Sequence, residues 1–342
     1  MKKLKNVISA MVAFLVSALF ISSCSDPVSV VPSEFILRAY NYSDSHYFFD
    51  TIYKASFLDY FNNTTGVLRP ETEANRVLSE DWNTFEVWVQ TDITTINKRY
   101  AAAITMLHSQ PGSGYDSSYK TLPQTEGKIF NGYFRKLHQS EYVSYPYAGF
   151  ISLKINVFEN YAVAVTYKTV NDSLYGTPSS AVNGNDTLIL KMIKCPNINP
   201  ATMPTAWELK MKNVYRLPYN NIIPYYLTLD VVYLKDGTYQ NKLPGFQKSL
   251  STMLDIDRYT GVTGEPPPDG KFDFGILLDE QTGDVIFPTL RPFWDNFVRE
   301  GVDSSYFYKE IYTEIKLNAA NPSIAPNADK YSIKGSAVLE SY

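Results

Sequence analysis

The chain has 342 residues, 31 of them Lys or Arg against 35 Asp or Glu, for a net charge of −4. Its basic residues stand singly among acids, so no basic stripe exists to neutralise a phosphate backbone, and nucleic acid is excluded as a partner. Tyr (27) and Phe (19) far outnumber Trp (4), a bias that suits pleated, half-buried strands or a contact surface.

The first 24 residues have the form of a bacterial lipoprotein signal. Lys2, Lys3 and Lys5 precede an apolar run from Val7 to Ile21, and Ile21-Ser22-Ser23-Cys24 closes it with small residues and a cysteine. That run fits the roughly 7–15 residues of a cleavable secretory core better than the roughly 20 of a spanning helix. Lipidation is therefore expected at Cys24, with residues 25–34 as a short tether. The remainder is expected at the outer membrane, on a face the sequence leaves open. With Cys24 so used, Cys195 has no disulfide partner, and beside Pro196 it reads as a structural thiol.

Residues 35–342 read as a mostly β region, antiparallel and sandwich-like, with few short helices. The segment 35–79 is aromatic without a sustained period. From Phe85 the period is two. Phe85, Val87 and Val89 alternate with Glu86, Trp88 and Gln90, which places Trp88 on the opposite face as a possible sugar-stacking residue. Ile151, Leu153, Ile155 and Val157 form the next strand, followed by Val163, Val165 and Tyr167, then by Leu188, Leu190 and Met192. Trp207, Leu209 and Met211 oppose Glu208, Lys210 and Lys212, which predicts a strand with its apolar face inward and its charged face outward. Asp236-Gly237 and Thr282-Gly283 predict turns, and 311–317 and 331–339 predict two late strands. Pro292 to Glu300, with Gly301 just past it, predicts one short helix. Ser109 to Glu126 and Glu265 to Gly270 read as loops.

Catalytic chemistry has no visible carrier. His46, His108 and His138 are isolated, and no nucleophile elbow, Walker loop, dinucleotide fingerprint or zinc-ligand pairing occurs. No catalytic residue and no cofactor is assigned on that basis. The best acidic constellation is Asp255 and Asp257 with Asp269 and Asp273, weak candidates for calcium. It lacks the denser acids and closing Glu of a calcium loop, so these residues are expected to cap turns instead.

Five segments then carry a resemblance, in order: AGFISLKINVFENYAVAVTYKTV from Ala148, WELKMKNVYRL from Trp207, DIDRY from Asp255, PPPDGKFDFG from Pro266 and IFPTLRPF from Ile286. FEVWVQT from Phe85 and IFNGYFRKL from Ile129 add weaker likeness. Together they resemble the N-terminal module of the SprA/Sov proteins, the giant outer-membrane translocons of type IX secretion, tied to gliding motility in Bacteroidetes. The likeness covers roughly residues 80–342. It departs at Arg291, where the family pattern has an acid, and at Lys210, where it has Met. At about 9–11 residues per strand, this chain cannot build the family's barrel of about 36 strands, so it resembles one soluble module and not the conduit. The resemblance implies a non-enzymatic lipoprotein working with envelope or secretion-system proteins. The alternative, a glycan-binding surface lipoprotein of a polysaccharide-utilisation system, rests on aromatic richness alone. A third reading, a degenerate fragment of a larger gene, is opposed by the intact leader.

Overall fold

The computed structural model describes residues 32–61, 67–79, 84–258, 272–273, 277–315 and 329–339. The leader with Cys24, the tether up to residue 31, Trp82, the 265–270 corner and Asp269 lie outside the described residues. Along the rest, alternating and β-branched runs form strands β1 (Ser33–Arg38), β2 (His46–Phe48), β3 (Glu86–Gln90), β4 (Arg99–Ile104), β5 (Ile129–Lys136), β6 (Tyr142–Tyr145), β7 (Phe150–Leu153) and β8 (Val163–Lys168). There follow β9 (Leu174–Tyr175), β10 (Leu188–Lys194), β11 (Val214–Arg216), β12 (Thr228–Lys235), β13 (Thr238–Gln240), β14 (Leu278–Asp279), β15 (Asp284–Ile286) and β16 (Tyr331–Ala337). The chain is mostly β, with several antiparallel, sandwich-like sheets and few short helices, as its alternation predicts.

The sheet containing β3, β4, β5, β8 and β10 closes on itself. Its neighbours run β10–β4–β5–β3–β8, and β8 pairs back to β10. Every pairing is antiparallel except β4 with β10, where Leu188 faces Ala101 in parallel register. A barrel of so few strands has room only for side chains. Trp88, Phe134, Leu188, Leu190 and Met192 fill it, and Ala101, Ala103 and Ala164 make space for the indole. The alternate residues Val87, Val89, Val163, Val165 and Ile193 belong to the main core outside the barrel wall. Both faces of β3 and β8 are therefore buried, and Trp88 is an interior residue at 2% exposure, not a surface platform.

The described residues form three further, smaller sheets: β1–β16–β12–β13, β11–β15–β14 and β2–β7–β6. The Asp236-Gly237 turn joins β12 to β13 with both residues at positive φ, and Gly283, φ 70, ends the turn before β15. In the predicted short helix, Pro292–Asn296 is a π turn that continues as Phe297–Arg299, and Gly301 stops it at φ 71. The 109–126 loop contains one 3-10 turn, Ser117–Thr121, capped by Asp116.

Three sequence expectations fail. Pro204–Leu209 is a helix, not a strand, because Pro204 fits the first helical turn and Trp207 N donates to Met203 O. Its charged residues do not all face outward: Lys210 and Lys212 are buried, and only Glu208 is exposed. Glu310–Thr313 is likewise a helix where a strand over 311–317 is predicted; residues 316–317 lie outside the described residues. The strand from Ile151 ends at Leu153, so Ile155 and Val157 lie beyond it. The aromatic segment 35–79 holds β1, β2 and the helix Tyr53–Phe61, whose Tyr53, Phe57 and Phe61 are buried on one face.

Candidate functional site

A dense polar constellation lies where the β2–β7–β6 and β11–β15–β14 sheets meet. Asp284, at the start of β15, is 1% exposed, and four side chains address its carboxylate. Arg216 on β11 binds it in a fork, Nε to Oδ1 and Nη2 to Oδ2, both at 2.8 Å. His46 on β2 brings Nε2 to Oδ2 at 3.1 Å, Thr282 donates its hydroxyl at 2.7 Å, and Ser152 on β7 donates at 3.3 Å. Burial alone would push this carboxyl up. His46 and Arg216 outweigh it and hold the group well below the usual carboxylate range. Arg216 also donates from Nη2 to Leu153 O at 3.3 Å, so the hub ties β2, β7, β11 and β15 together.

Ser152, His46 and Asp284 are the residue types of a hydrolase triad, but they are wired differently. A nucleophilic serine needs the imidazole as its base, with the carboxylate behind it. Here serine and histidine both turn to the carboxylate. This arrangement orders a junction, with the serine hydroxyl bonded to the carboxylate and not to the imidazole.

Above the hub lies an open groove of about 970 Å³, lined by Lys154, Arg216, Tyr219, Asn220, Asn221 and Gln281. It is amide-rich. Tyr225 and Tyr226 follow directly on its lining residues Ile223 and Pro224, and Tyr225 is 80% exposed. Lys154 and Gln281 meet at 3.3 Å, joining the segments on either side of it.

The residues singled out in the sequence are placed elsewhere. Asp255, at positive φ and 1% exposed, receives Arg299 Nη1 at 2.6 Å and Nη2 at 3.0 Å, Arg258 Nη1 at 2.9 Å and Asn296 Nδ2 at 3.0 Å. It is an ion-pair anchor for the 292–301 helical segment, where a turn cap was expected. Asp257 accepts from Thr252 Oγ1 at 2.6 Å. Asp273 N donates to Ile256 O, which brings Asp273 to the same segment, and Asp269 lies outside the described residues. Among the described residues, no group of three or more His, Cys, Asp or Glu could hold a metal ion. Cys195 is buried beside Thr105 Oγ1 and Gly127 O, each at 3.5 Å, and burial pushes its thiol up, as suits a packing residue.

Sequence reasoning missed the Asp284 hub entirely, since its members stand at positions 46, 152, 216, 282 and 284 with no spacing to mark them. It also missed Glu86, which is buried at one end of the barrel. There Glu86 receives Trp88 Nε1, Lys136 Nζ and both the amide and hydroxyl of Ser179. No family model matches the chain, and a comparison with curated proteins gives no match.

Proposed function

We propose that this chain is a non-enzymatic outer-membrane lipoprotein, anchored at Cys24, that acts by contact with other envelope proteins in or near type IX secretion and gliding. One observation carries the reading. Three of the segments that resemble the translocon module supply β7, β11 and the end of β15, and these meet around Asp284. That neighbourhood supports reading these three segments together: Ser152 and Arg216 both bond Asp284, and Ile286 pairs with Val214. The open groove beside that unit, with exposed tyrosines next to it, suits an extended polypeptide better than an enclosed small molecule. A photo-crosslinking phenylalanine analogue at Tyr225, in cells, should give a discrete adduct with a secretion-system protein. Abundant, lipidated protein without any adduct would count against the proposal. Cys24→Ala should release the chain into the soluble periplasmic fraction, and palmitate labelling that persists would refute the anchor.

A second reading, glycan binding at the surface, is favoured by the same groove, because Asn220, Asn221 and Gln281 offer paired donors and acceptors near Tyr225 and Tyr226. Retardation in a glycan affinity gel, lost when both tyrosines become Ala, would favour it over protein contact.

A further inference from the structure

Two loops at one end of the barrel carry apolar side chains into solvent. Residues 91–98 join β3 to β4, and residues 154–162 join β7 to β8. The loops adjoin: Gln90 N donates to Ala162 O and Ala162 N to Gln90 Oε1, both at 2.9 Å, and Tyr161 Oη lies 3.5 Å from Asp92 Oδ1. Ile93 is 64% exposed, Ile96 84% and Phe158 71%. One exposed apolar side chain is ordinary, but three on adjoining loops mark a contact surface.

Both loops are held in place. Lys194 is buried, and its Nζ donates to Phe158 O and Glu159 O at 3.0 Å and to Tyr161 O at 2.5 Å. All three N–H groups of an ammonium therefore go to the loop that carries Phe158. In the other loop Thr95 N donates to Asp92 O, the hydroxyls of Thr91 and Thr95 meet at 2.6 Å, and Lys98 Nζ donates to Thr95 O at 3.3 Å. Behind the loops the chemistry changes. Tyr161 packs edge-on against Phe158, Tyr100 of β4 packs likewise against Tyr133 of β5, and Lys98 Nζ stands 5.5 Å from the centroid of the Tyr133 ring. Asp92 and Glu159 also stand on these loops, and Lys98 and Arg99 offset them, so charge selects no particular lipid.

We propose that this end of the barrel docks on a lipid bilayer, with Ile93, Ile96 and Phe158 inserted at the headgroup boundary and Tyr100, Tyr133 and Lys98 among the headgroups. Apolar tips backed by tyrosine and lysine follow the order of chemistry met on leaving hydrocarbon for water. A second argument for lipid over protein rests on the lipid-anchor reading. From Cys24 to Ser33 even a fully extended chain spans only about 30 Å, so an acylated chain always has a bilayer within reach of its body. Insertion would fix which end of the barrel faces that bilayer. The surface shares no residue with the groove beside Asp284.

The test holds the chain from residue 25 onward on phosphatidylcholine vesicles through an N-terminal hexahistidine segment and a nickel-chelating lipid. Its failure therefore says nothing about Cys24, which palmitate labelling tests separately. An environment-sensitive fluorophore is attached, one position at a time, at Thr94→Cys, Asn160→Cys and Met106→Cys; Met106 is exposed just past the opposite end of β4. Emission at 94 and 160 should shift to the blue and be quenched by spin-labelled lipid, while the probe at 106 stays in water. Ile93→Ser, Ile96→Ser and Phe158→Ser together should cut the quenching at 94 and 160 at least fivefold, and high salt should leave it unchanged, because the contact is apolar. Circular dichroism of each variant checks that the fold persists. Vesicle-bound chain whose probes at 94 and 160 stay in water overturns the proposal and assigns the loops to a protein partner. Equal quenching at 106, quenching that survives the three serines, or quenching lost in salt overturns it as well.

Discussion

Asp284 illustrates how a single carboxylate organises this molecule. Replacing it with Asn leaves Arg216 and His46 facing an amide, and loss of one partner from such a buried group should cost about 3 kcal/mol in urea unfolding. The pH dependence has a definite sign. A carboxyl whose folded pKa is depressed contributes fully above its unfolded value of about 4, and that contribution is lost as pH falls below it. Asp284→Asn should therefore flatten the decline of stability between about pH 4 and pH 2 relative to the unaltered chain. At the Pro204–Leu209 helix, Trp207 donates Nε1 to Tyr312 O at 2.7 Å and is 3% exposed, so Trp207→Ala should cost about 3–5 kcal/mol. Lys210→Ala should not be neutral, as an outward-facing strand residue would be. Its stem is buried and its Nζ lies 5.3 Å from the Tyr42 ring centroid, so a loss of about 1 kcal/mol is expected, mostly packing, because Asp44 is largely exposed. Equal thermal stability of Lys210→Ala and the unaltered chain would contradict that packing role.

The elements show why alternation was informative in some places and misleading in others. In β3, β8 and β10 the period of two correctly divides side chains between two faces, but it does not say that the second face is the inside of a barrel. That fact depends on β4 pairing with β10, a contact between positions 101 and 188 that no local pattern encodes. At Trp207–Met211 the apolar positions fit a strand, yet Pro204 at the first helical turn was the competing signal, and it prevailed. Turns were the most legible features, since the positive φ that these turns require is adopted readily by Gly237 and Gly283 and tolerated by Asp236. The Asp284 hub was illegible, because each of its residues is ordinary where it stands in the sequence. The close approach at Gly335 is also invisible before folding: a Cβ there would lie 1.8 Å from Thr228 O and 2.8 Å from Phe35 Cζ. Gly335→Ala should force β16 away from β12 and lower stability by about 2 kcal/mol or more. Gly112→Ala, which meets nothing within 4 Å, should change it by less than about 0.5 kcal/mol. Similar melting temperatures for the two variants would show that β16 can shift at little cost.

Over the whole molecule, tyrosine is a structural material more than a surface one. Tyr42, Tyr47, Tyr167 and Tyr312 are held well above the usual phenol range, chiefly by burial. A tyrosine of raised folded pKa adds stability below its unfolded value of about 10, and this is lost as pH climbs through the folded value. Alkaline unfolding should thus begin above about pH 10. The tyrosinate absorbance of the buried rings should rise together with loss of far-ultraviolet dichroism. Full tyrosinate absorbance with intact dichroism would mean the core admits hydroxide. A different consequence follows from the sheet that sets β1 beside β16 and has Ala39 N donating to Tyr331 O. Strands nearly 300 positions apart close one layer of the fold, so a chain emerging from its N-terminus keeps β1 without its neighbour until β16, residues 331–337, has been made. Folding of that layer is postponed by connectivity alone. The barrel, closed within residues 86–194, has no such wait, so it is expected to form ahead of the β1–β16 layer.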